Sequence, residues 1–271
     1  MIAGMTKKQA PPKIIIEHLV KSFDGNMVLK DINLQVEAGQ SLCIIGTSGC
    51  GKSVTLKCLL GLITPTSGSM RVDGLEMVGQ SRAQREEALR KFGMTFQFGA
   101  LFDSLPIWQN IMFRPLQQGE VSRHAARDEA AHIATQLGLR ADVIDQYPAE
   151  LSGGMQKRVA LGRAIADKPE ILLFDEPTSG LDPITGGVID NLILDAVKRL
   201  GATAMTISHD IASVRRIADK VAMIHEGRII WCGPAAKMHE SGVPEVHQFV
   251  HGHPEGPLTG KKLPSAKEKQ A

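Results

Sequence analysis

The segment GTSGCGKS, residues 46–53, constrains the fold of this chain more than any other part of its sequence. It matches the pattern G-x-x-x-x-G-K-[ST] in full, and it stands between the apolar run SLCII and a segment of helical character. In such a strand–loop–helix unit, glycines let backbone N–H groups surround phosphate oxygens, and the helix dipole adds positive potential. A chance match in a chain of this composition has a frequency on the order of 1%. The segment therefore predicts an α/β fold that binds a nucleoside triphosphate.

The residues of this loop have distinct expected tasks. Lys52 is expected to neutralise the β- and γ-phosphates of the nucleotide, and Ser53 is expected to ligate Mg²⁺. A dinucleotide-binding fingerprint is excluded here, because the loop continues with Lys-Ser-Val where that fingerprint needs a third glycine. The other nucleotide contacts expected from this loop are Gly46, Thr47, Ser48, Gly49, Cys50, Gly51 and Val54.

The segment ILLFDEP places two carboxylates at the end of an apolar run. A buried strand would deliver Asp175 to the Mg²⁺ ion, and Glu176 would polarise the attacking water. Alone, this pattern is as often an ordinary strand end, and only the glycine loop makes it informative. His209, in TISHD, follows another apolar run and is a candidate for contact with the γ-phosphate. A lone histidine is more often structural, so both interpretations of His209 stay open at this point.

A second segment, ELSGGMQKR at residues 150–158, also has the features of an anion site. A small hydroxyl and two adjacent glycines precede what reads as the start of a helix, and a helix N-terminus attracts anions. A chain with one phosphate loop therefore carries a second candidate anion site, and the residues alone leave its ligand open.

The rest of the chain alternates short apolar, β-branched runs with helical patterns, which indicates a sheet buried by helices. The segment VAMIHEGRIIWCG is typical of a hairpin that turns at Glu226-Gly227. Strand signals stop over about residues 105–166, where SRHAARDEAAHIATQLGL has helical spacing, so an α-helical insertion is predicted there. We expect a flexible tail over 1–12, a nucleotide-binding domain over 13–240 and a partly disordered extension over 241–271.

Composition narrows the classes of partner. The chain has 31 Lys and Arg against 29 Asp and Glu in 271 residues, so no overall field attracts nucleic acid or anionic lipid. Its four cysteines form no CxxC pair, which favours reduced thiols. We find no signal-peptide pattern and no apolar run of about 18 residues, so a membrane role is expected to come through a partner.

With GTSGCGKS, ELSGGMQKR, ILLFDEP, SGLD and TISHD at this spacing, the chain resembles the nucleotide-binding subunit of ABC transporters over about residues 13–235. The resemblance implies a P-loop NTPase fold with a mixed sheet core and an antiparallel β subdomain, ATP hydrolysis with Mg²⁺, and a head-to-tail dimer. Lys52, Glu176 and His209 would be the catalytic residues.

Other residues match further positions of the family motifs. Phe23 matches the aromatic that stacks on adenine, with a place in the core as the alternative. Gln97 matches the glutamine that senses Mg²⁺, and Asp182 matches the loop that joins the two sites of a dimer. The γ-phosphate signature is matched by Ser152, Gly153 and Gly154, which Gln156 follows closely.

A finer resemblance concerns the transported substrate. The segments FQFGALFDSLPIWQNI, LDPITGGVID and PEVHQFVHGHPEGP are similar to the ATPase of MCE-associated (Mla/Mkl-type) lipid transport systems. This implies a multi-spanning permease, an MCE-domain protein and a small STAS-type subunit as partners, at the cytoplasmic face of the inner membrane. The apolar residues of GALFDSL would receive the permease or form the insertion's own small core. Likewise, QFVHG would pack on another subunit or on its own chain.

Three rival functions remain at this stage. The ATPase of a solute importer, for amino acids or ions, would share every catalytic motif. A non-transport ABC protein usually carries tandem cassettes, a coiled-coil insert or zinc cysteines, and the near-neutral charge also disfavours nucleic acid as a partner. A soluble P-loop kinase would leave ELSGGMQKR without a role.

Overall fold

The computed structural model describes residues 11–260, and the fold combines one mixed sheet with helices. The strands are β1 Ile14–Phe23, β2 Asn26–Val36, β3 Ser41–Ile45, β4 Ser67–Val72, β5 Leu75–Glu76, β6 Phe92–Thr95, β7 Ile171–Asp175, β8 Thr203–Ile207, β9 Lys220–His225 and β10 Arg228–Pro234. The helices are α1 Lys52–Leu59, α2 Arg82–Leu89, α3 Ile107–Ile111, α4 Phe113–Gln117, α5 Arg123–Gln136, α6 Gly153–Ile165, α7 Pro183–Leu200, α8 Ile211–Ile217 and α9 Pro244–His251. Short 3-10 turns cover Ala141–Asp145, Pro148–Glu150, Ala235–Glu240 and Pro257–Thr259.

The sheet has the strand order β5-β4-β1-β2-β10-β9-β3-β8-β7-β6. Strands β9, β3, β8, β7 and β6 run parallel, whereas β2, β1, β4 and β5 pair antiparallel. Every residue of β7 and of β8 is buried, as expected for apolar strands covered on both faces. The predicted α/β class, with a mixed sheet and an antiparallel part, is confirmed.

The predicted hairpin joins β9 to β10 at Glu226-Gly227. Both residues have positive φ, 46° and 75°, which suits the twist of a two-residue hairpin turn. The turn also contacts β2, because the N–H of Lys30 donates to the Gly227 carbonyl at 2.8 Å. A Cβ placed on Gly227 would lie 2.5 Å from the carbonyl oxygen of Val28, so only glycine fits there. This contact fixes the antiparallel part of the sheet against the parallel part.

Helices α3 to α6 lie between β6 and β7, and the described structure has no strand in that interval. Helix α5 buries one face, formed by Ala126, Ala130, Ile133 and Ala134. This face shares a core with α3, whose buried apolar residues are Ile107, Trp108 and Ile111. The helical region therefore lies where the insertion was predicted, and its apolar cluster continues to Leu172 and Phe174 of β7.

The described part of the C-terminal region packs on the chain itself. Val246 and Val250 of α9 are buried with Val214, Val221 and Met238 in a third apolar cluster. Of the two interpretations of QFVHG, contact with its own chain is the one observed. The expected tail over 1–12 and the end of the 241–271 extension fall largely on residues 1–10 and 261–271, outside the described residues. The domain boundaries stay a prediction.

No helix among residues 11–260 combines the length and the apolar character that crossing a membrane requires.

Candidate active site

The glycine loop connects the end of β3 to the start of α1. Gly46 is buried, and a Cβ at this position would overlap the carbonyl oxygen of Ile224 in β9, so the loop lies directly over that strand. The loop forms one wall of a cleft of about 270 Å³. The residues that line this cleft are Ser48, Gly49, Gly51, Lys52, Ser53, Val54, Gln97 and Glu176. The structure thus brings three separately predicted segments to one place.

Lys52 is buried inside the loop. Its Nζ donates hydrogen bonds to the carbonyl oxygens of Gly46 at 2.7 Å and Thr47 at 2.9 Å. Charge-assisted bonds of this kind are strong and hold a flexible side chain in one place. The positive charge is therefore held at the loop, where the sequence predicts phosphate.

Ser53 and Asp175 form the expected pair of metal ligands. The Ser53 hydroxyl donates to Asp175 Oδ1 at 3.2 Å. Burial raises the pKa of Asp175, and the Ser53 hydrogen bond acts in the opposite direction. Mg²⁺ takes oxygen ligands at about 2.0–2.1 Å, so neighbouring ligands of one octahedron lie about 2.9 Å apart. The separation and the all-oxygen chemistry of this pair fit Mg²⁺, and Gln97 lines the same cleft.

Glu176 and His209 pair where β7 and β8 end. His209 Nδ1 lies 2.6 Å from Glu176 Oε2, and an ionised carboxylate only accepts, so the ring donates. Glu176 has a φ of 51°, which is uncommon for a residue with a side chain and recurs at functional positions. Its N–H donates to the carbonyl of Ile207 at 3.0 Å, which holds the backbone in this conformation. The carboxylate therefore lines the cleft with a defined partner.

The signature segment lies elsewhere. Ser152 is the N-cap of α6, where its hydroxyl accepts from the N–H of Met155 at 3.4 Å. Ser152 and Gly154 line a separate cleft of about 540 Å³, together with Arg158 and Thr185. Gly153 is exposed at the same helix start. Within residues 11–260, the glycine loop lines the first cleft and the signature lines the second, so one chain does not bring them together.

Gln156 and Asp182 have side chains that bond to nearby backbone. The Gln156 amide donates to the carbonyl oxygen of Pro148 at 2.9 Å, just ahead of the signature. Asp182 is the N-cap of α7 and accepts from the N–H groups of Ile184 and Thr185, each at 3.0 Å. The Thr185 hydroxyl bond lowers the pKa of the Asp182 carboxyl. Both residues thus shape the loops around the signature cleft, and their contact with nucleotide stays a prediction.

Phe23 ends β1 with part of its ring in solvent. The residue is 40% exposed, and Lys21 Nζ lies 4.7 Å from the ring centroid. This exposure does not suit the alternative of a core aromatic. A ring exposed at a strand end is accessible for stacking on a base.

Lys157 is a residue that the sequence analysis did not single out. It lies one helical turn after Gly153 on α6, and its Nζ donates to the Gln97 carbonyl. Burial lowers the pKa of the Lys157 ammonium, and the charges of Glu176 and Asp175 act in the opposite direction. Lys157 therefore connects the signature helix to the loop that lines the first cleft. Its position within ELSGGMQKR was the available signal.

Comparison with known proteins agrees with this geometry. The family model described as ABC transporter matches residues 29–179. The probable ribonucleotide transport ATP-binding protein mkl of Mycobacterium leprae is 35% identical over 245 residues, which is 90% of this chain and 70% of the relative. Protein trigalactosyldiacylglycerol 3, chloroplastic, of Arabidopsis thaliana is 35% identical over 276 residues, 94% of this chain and 79% of the relative. The methionine import ATP-binding protein MetN 2 of Lactiplantibacillus plantarum is 39% identical over 229 residues, 83% of this chain and 66% of the relative.

A solved structure has the same fold. The dimeric, post-hydrolysis state of an ATP-binding cassette bound to ADP and Pi superposes with a TM-score of 0.76 at 28% identity, covering 82% of this chain and 98% of the other. The predicted P-loop NTPase fold of the ABC type, the resemblance to Mkl-type ATPases, and the use of ATP and Mg²⁺ are confirmed. The chain belongs to the ABC transporter ATP-binding family and is an ATPase.

Proposed function

We propose that this ATPase drives the transport of a lipid, namely phospholipid, across a bacterial envelope. The observation that carries this proposal is the similarity, at 35% identity over 94% of the chain, to the chloroplast protein named after trigalactosyldiacylglycerol, which is a glycerolipid. The Mkl protein shares the same identity over 90% of the chain. Both alignments take in most of the segments on which the finer resemblance rests.

The first cleft supports a division of roles among its residues. Mg²⁺, when bound, would neutralise charge on the phosphates. Ser53 and Asp175 would hold that ion, with Gln97 beside it. The Lys52 ammonium would bind phosphate oxygens, and the Glu176 carboxylate would accept a proton from the attacking water. The His209 ring would hold that carboxylate in place through its 2.6 Å contact.

The working form in this proposal is a head-to-tail dimer. Each chain has a phosphate loop in one cleft and the helix start of Ser152–Gly154 in another. A second copy would bring its signature to the phosphate loop of the first, and the helix N-terminus would then act on the γ-phosphate. Closure of two such sites by ATP, and their opening after hydrolysis, would be the motion that drives transport.

The GALFDSL segment supports a docking site for the permease. Phe98 is 85% exposed and Phe102 is 40% exposed, beside the Gln97 loop. Hydrogen bonds hold the backbone of this segment from both sides. The side-chain amide of Asn110 accepts from the N–H of Phe102 and donates to its carbonyl, and Arg163 donates to the carbonyl of Ala100 at 2.8 Å. Leu101 packs on the helical core, so the alternative of a local core applies to that residue. The Phe102 ring also stacks on Phe113, with centroids 4.3 Å apart, so Phe98 and the exposed part of Phe102 remain for a short apolar helix of the permease.

The remaining partners and the location follow from this assignment. Docking on a multi-spanning permease would hold the chain at the cytoplasmic face of the inner membrane. An MCE-domain protein would carry the lipid, and a small STAS-type subunit would be an accessory. These parts of the proposal rest on the resemblance to MCE-associated systems.

Import of an amino acid is the second candidate. A methionine import ATP-binding protein is 39% identical over 229 residues, a higher identity over a shorter share of this chain. The ATPase cleft serves either function equally, so only the partners and the cargo distinguish them.

Purification of the chain with its native membrane partners tests the proposal. We expect a permease, an MCE-domain protein and bound phospholipid to co-purify, and Phe98→Asp with Phe102→Asp to abolish their recovery. Leu75→Asp is the matched control, because Leu75 is 52% exposed on the distant strand β5. Recovery of a periplasmic solute-binding protein and an amino acid instead would overturn the lipid assignment and favour the importer.

A further inference from the structure

Three histidines cluster at the C-terminal end of the described chain. His247 and His251 lie one turn apart on α9, and His253 follows the end of the helix. One ring nitrogen from each lies within 4.8 Å of the others, and all three residues are exposed. We propose that His247, His251 and His253 bind a divalent transition metal ion of the zinc class at the surface of the chain.

The helix presets two of these ligands. Residues four apart on a helix face the same way, and the rings of His247 and His251 have centroids 4.1 Å apart. His251 Nδ1 lies 2.9 Å from the carbonyl oxygen of His247, and a carbonyl oxygen only accepts, so Nδ1 carries a proton. This leaves Nε2 of His251 as the ligand atom. A ligand histidine whose other nitrogen donates to a backbone carbonyl is the usual arrangement around zinc.

The third ligand is placed by a buried glutamine. Gln248 is 4% exposed, and its amide donates to the His253 carbonyl at 3.0 Å. Its Oε1 accepts from the N–H of Leu258 at 2.8 Å, and the N–H of His253 donates to the Gln248 carbonyl at 3.1 Å. The turn after α9 is therefore fixed to the helix by hydrogen bonds on both sides of His253. The backbone that carries the third imidazole is set before any ion binds.

The donor set selects the kind of ion. Imidazole nitrogens suit Zn²⁺, Cu²⁺ and Ni²⁺, whereas Mg²⁺ and Ca²⁺ prefer oxygen. Tetrahedral zinc with Zn–N distances of about 2.0–2.1 Å holds its nitrogens about 3.3 Å apart. The ligand nitrogens of the three histidines start from separations of up to 4.8 Å. Side-chain rotation of the exposed rings therefore has to shorten these separations by about 1.5 Å at most. Three protein nitrogens leave a fourth position for water or another ligand.

An ion at this site would cross-link α9 to the turn that follows it. Helix α9 packs on the third apolar cluster through Val246 and Val250, so the link would tie residues 252–258 to that cluster. Because the ion binds the folded arrangement, it would also stabilise the fold, by an amount that grows with the logarithm of its free concentration above the Kd. This role is independent of the substrate that the ATPase serves.

The test uses the full chain without an affinity histidine tag, stripped with a chelator, in the absence of nucleotide. Calorimetric titration with Zn²⁺ is expected to show one equivalent bound, and excess Mg²⁺ is expected not to compete. His251→Ala should weaken binding by at least about tenfold, and His253→Ala by less, because the helical pair remains. Thermal unfolding should show a Zn²⁺-dependent rise in Tm for the wild-type chain that His251→Ala loses.

Two controls separate this site from other zinc ligands. His132→Ala removes an exposed histidine of α5, and Cys232→Ser removes an exposed thiol, and both variants should bind Zn²⁺ as the wild type does. The triple variant His247→Ala, His251→Ala, His253→Ala should lose the equivalent while keeping its fold, because all three side chains are exposed. Unchanged binding by the triple variant, or no binding by the wild type at micromolar Zn²⁺, would overturn the proposal.

Discussion

The phosphate loop and the signature segment both place a serine and glycines at a helix start, yet their surroundings differ. Lys52 is buried with two backbone partners, and Ser53 contacts Asp175. Ser152 is exposed and its hydroxyl only caps its own helix. The first site has a positive charge and carboxylates in one cleft, whereas the second offers backbone N–H groups and a helix dipole. Similar local sequences therefore complete different fractions of a site.

The largest effect is expected in the complete site. Glu176→Gln keeps the size of the side chain but removes the base, so phosphate release should fall by about 10³-fold. ATP binding, measured by titration, should stay within about twofold, and ATP should still produce a dimer on size-exclusion chromatography. Glu129→Gln, at an exposed glutamate of α5, is the control. Full turnover by Glu176→Gln would contradict the role given to this carboxylate.

The incomplete site is tested by a matched pair of serines. Ser152 caps α6 and Ser122 caps α5, with hydroxyl-to-N–H distances of 3.4 Å and 3.3 Å. Each change to alanine should cost about 1 kcal/mol of stability through the lost cap. Only Ser152→Ala should also slow hydrolysis, by about 10²-fold if its hydroxyl binds transferred phosphate, while ATP binding to the monomer is retained. Equal activity of the two variants would reduce Ser152 to a helix cap.

The connection between the two regions is tested at Lys157. Lys157→Met removes the donor to the Gln97 carbonyl but keeps most of the apolar volume. We expect kcat to fall by about tenfold, since a hydrogen bond from a charged group is worth about 1.5–3 kcal/mol, with little change in ATP affinity. Lys198→Met, at an exposed lysine of α7, is the control. A fall in ATP affinity without a fall in kcat would show that Lys157 supports the cleft and not the connection.

The smallest effect is expected at Asp182. Asp182→Asn keeps a side-chain acceptor for the N–H groups of Ile184 and Thr185, whereas Asp182→Ala removes it. Thermal unfolding should show a drop of roughly 2–4 °C for alanine and less for asparagine. If both variants instead lose hydrolysis equally at unchanged Tm, the carboxylate acts at the dimer junction.

The pH dependence of this cap has a definite sign. The folded chain lowers the pKa of Asp182, so the stabilisation is present above the ordinary aspartate pKa and is lost as the pH falls through the folded value. The gap in Tm between the wild type and Asp182→Ala should therefore narrow in acid. A gap that stays constant down to the lowest pH that permits folding would contradict this linkage.

Much of the fold is predictable because its signals are local. Buried parallel strands such as ILLFD read as continuous apolar runs, and Glu226-Gly227 supplies the turn of a hairpin. Helix α2 is absent from the predicted elements, although its capping box, Ser81 with Gln84, is present in the sequence as S-x-x-Q. Strand order is different, since it depends on contacts between residues far apart in the chain.

The site divides in the same way. The role assigned to Lys52 comes from a motif whose neighbours in sequence are also its neighbours in space, since its partners Gly46 and Thr47 belong to the same loop. The bond between Lys157 and the Gln97 carbonyl joins residues sixty positions apart, so no local pattern contains it. The capping bonds of Asp182 are local, and the D-x-x-T spacing of Asp182 and Thr185 is visible in the sequence.

Gly227 belongs to no nucleotide motif, but its close approach to the Val28 carbonyl, which Gly51 of the phosphate loop also approaches, makes it irreplaceable in a particular genetic sense. Almost any missense codon at this position would push the antiparallel part of the sheet away from the strand that carries the phosphate loop. In a saturation mutagenesis screen scored by survival of the transport function, Gly227 should therefore tolerate as few alleles as Gly46. Sequence variation among living strains would then mark this turn as strictly as it marks the chemistry, although no atom of the turn takes part in it.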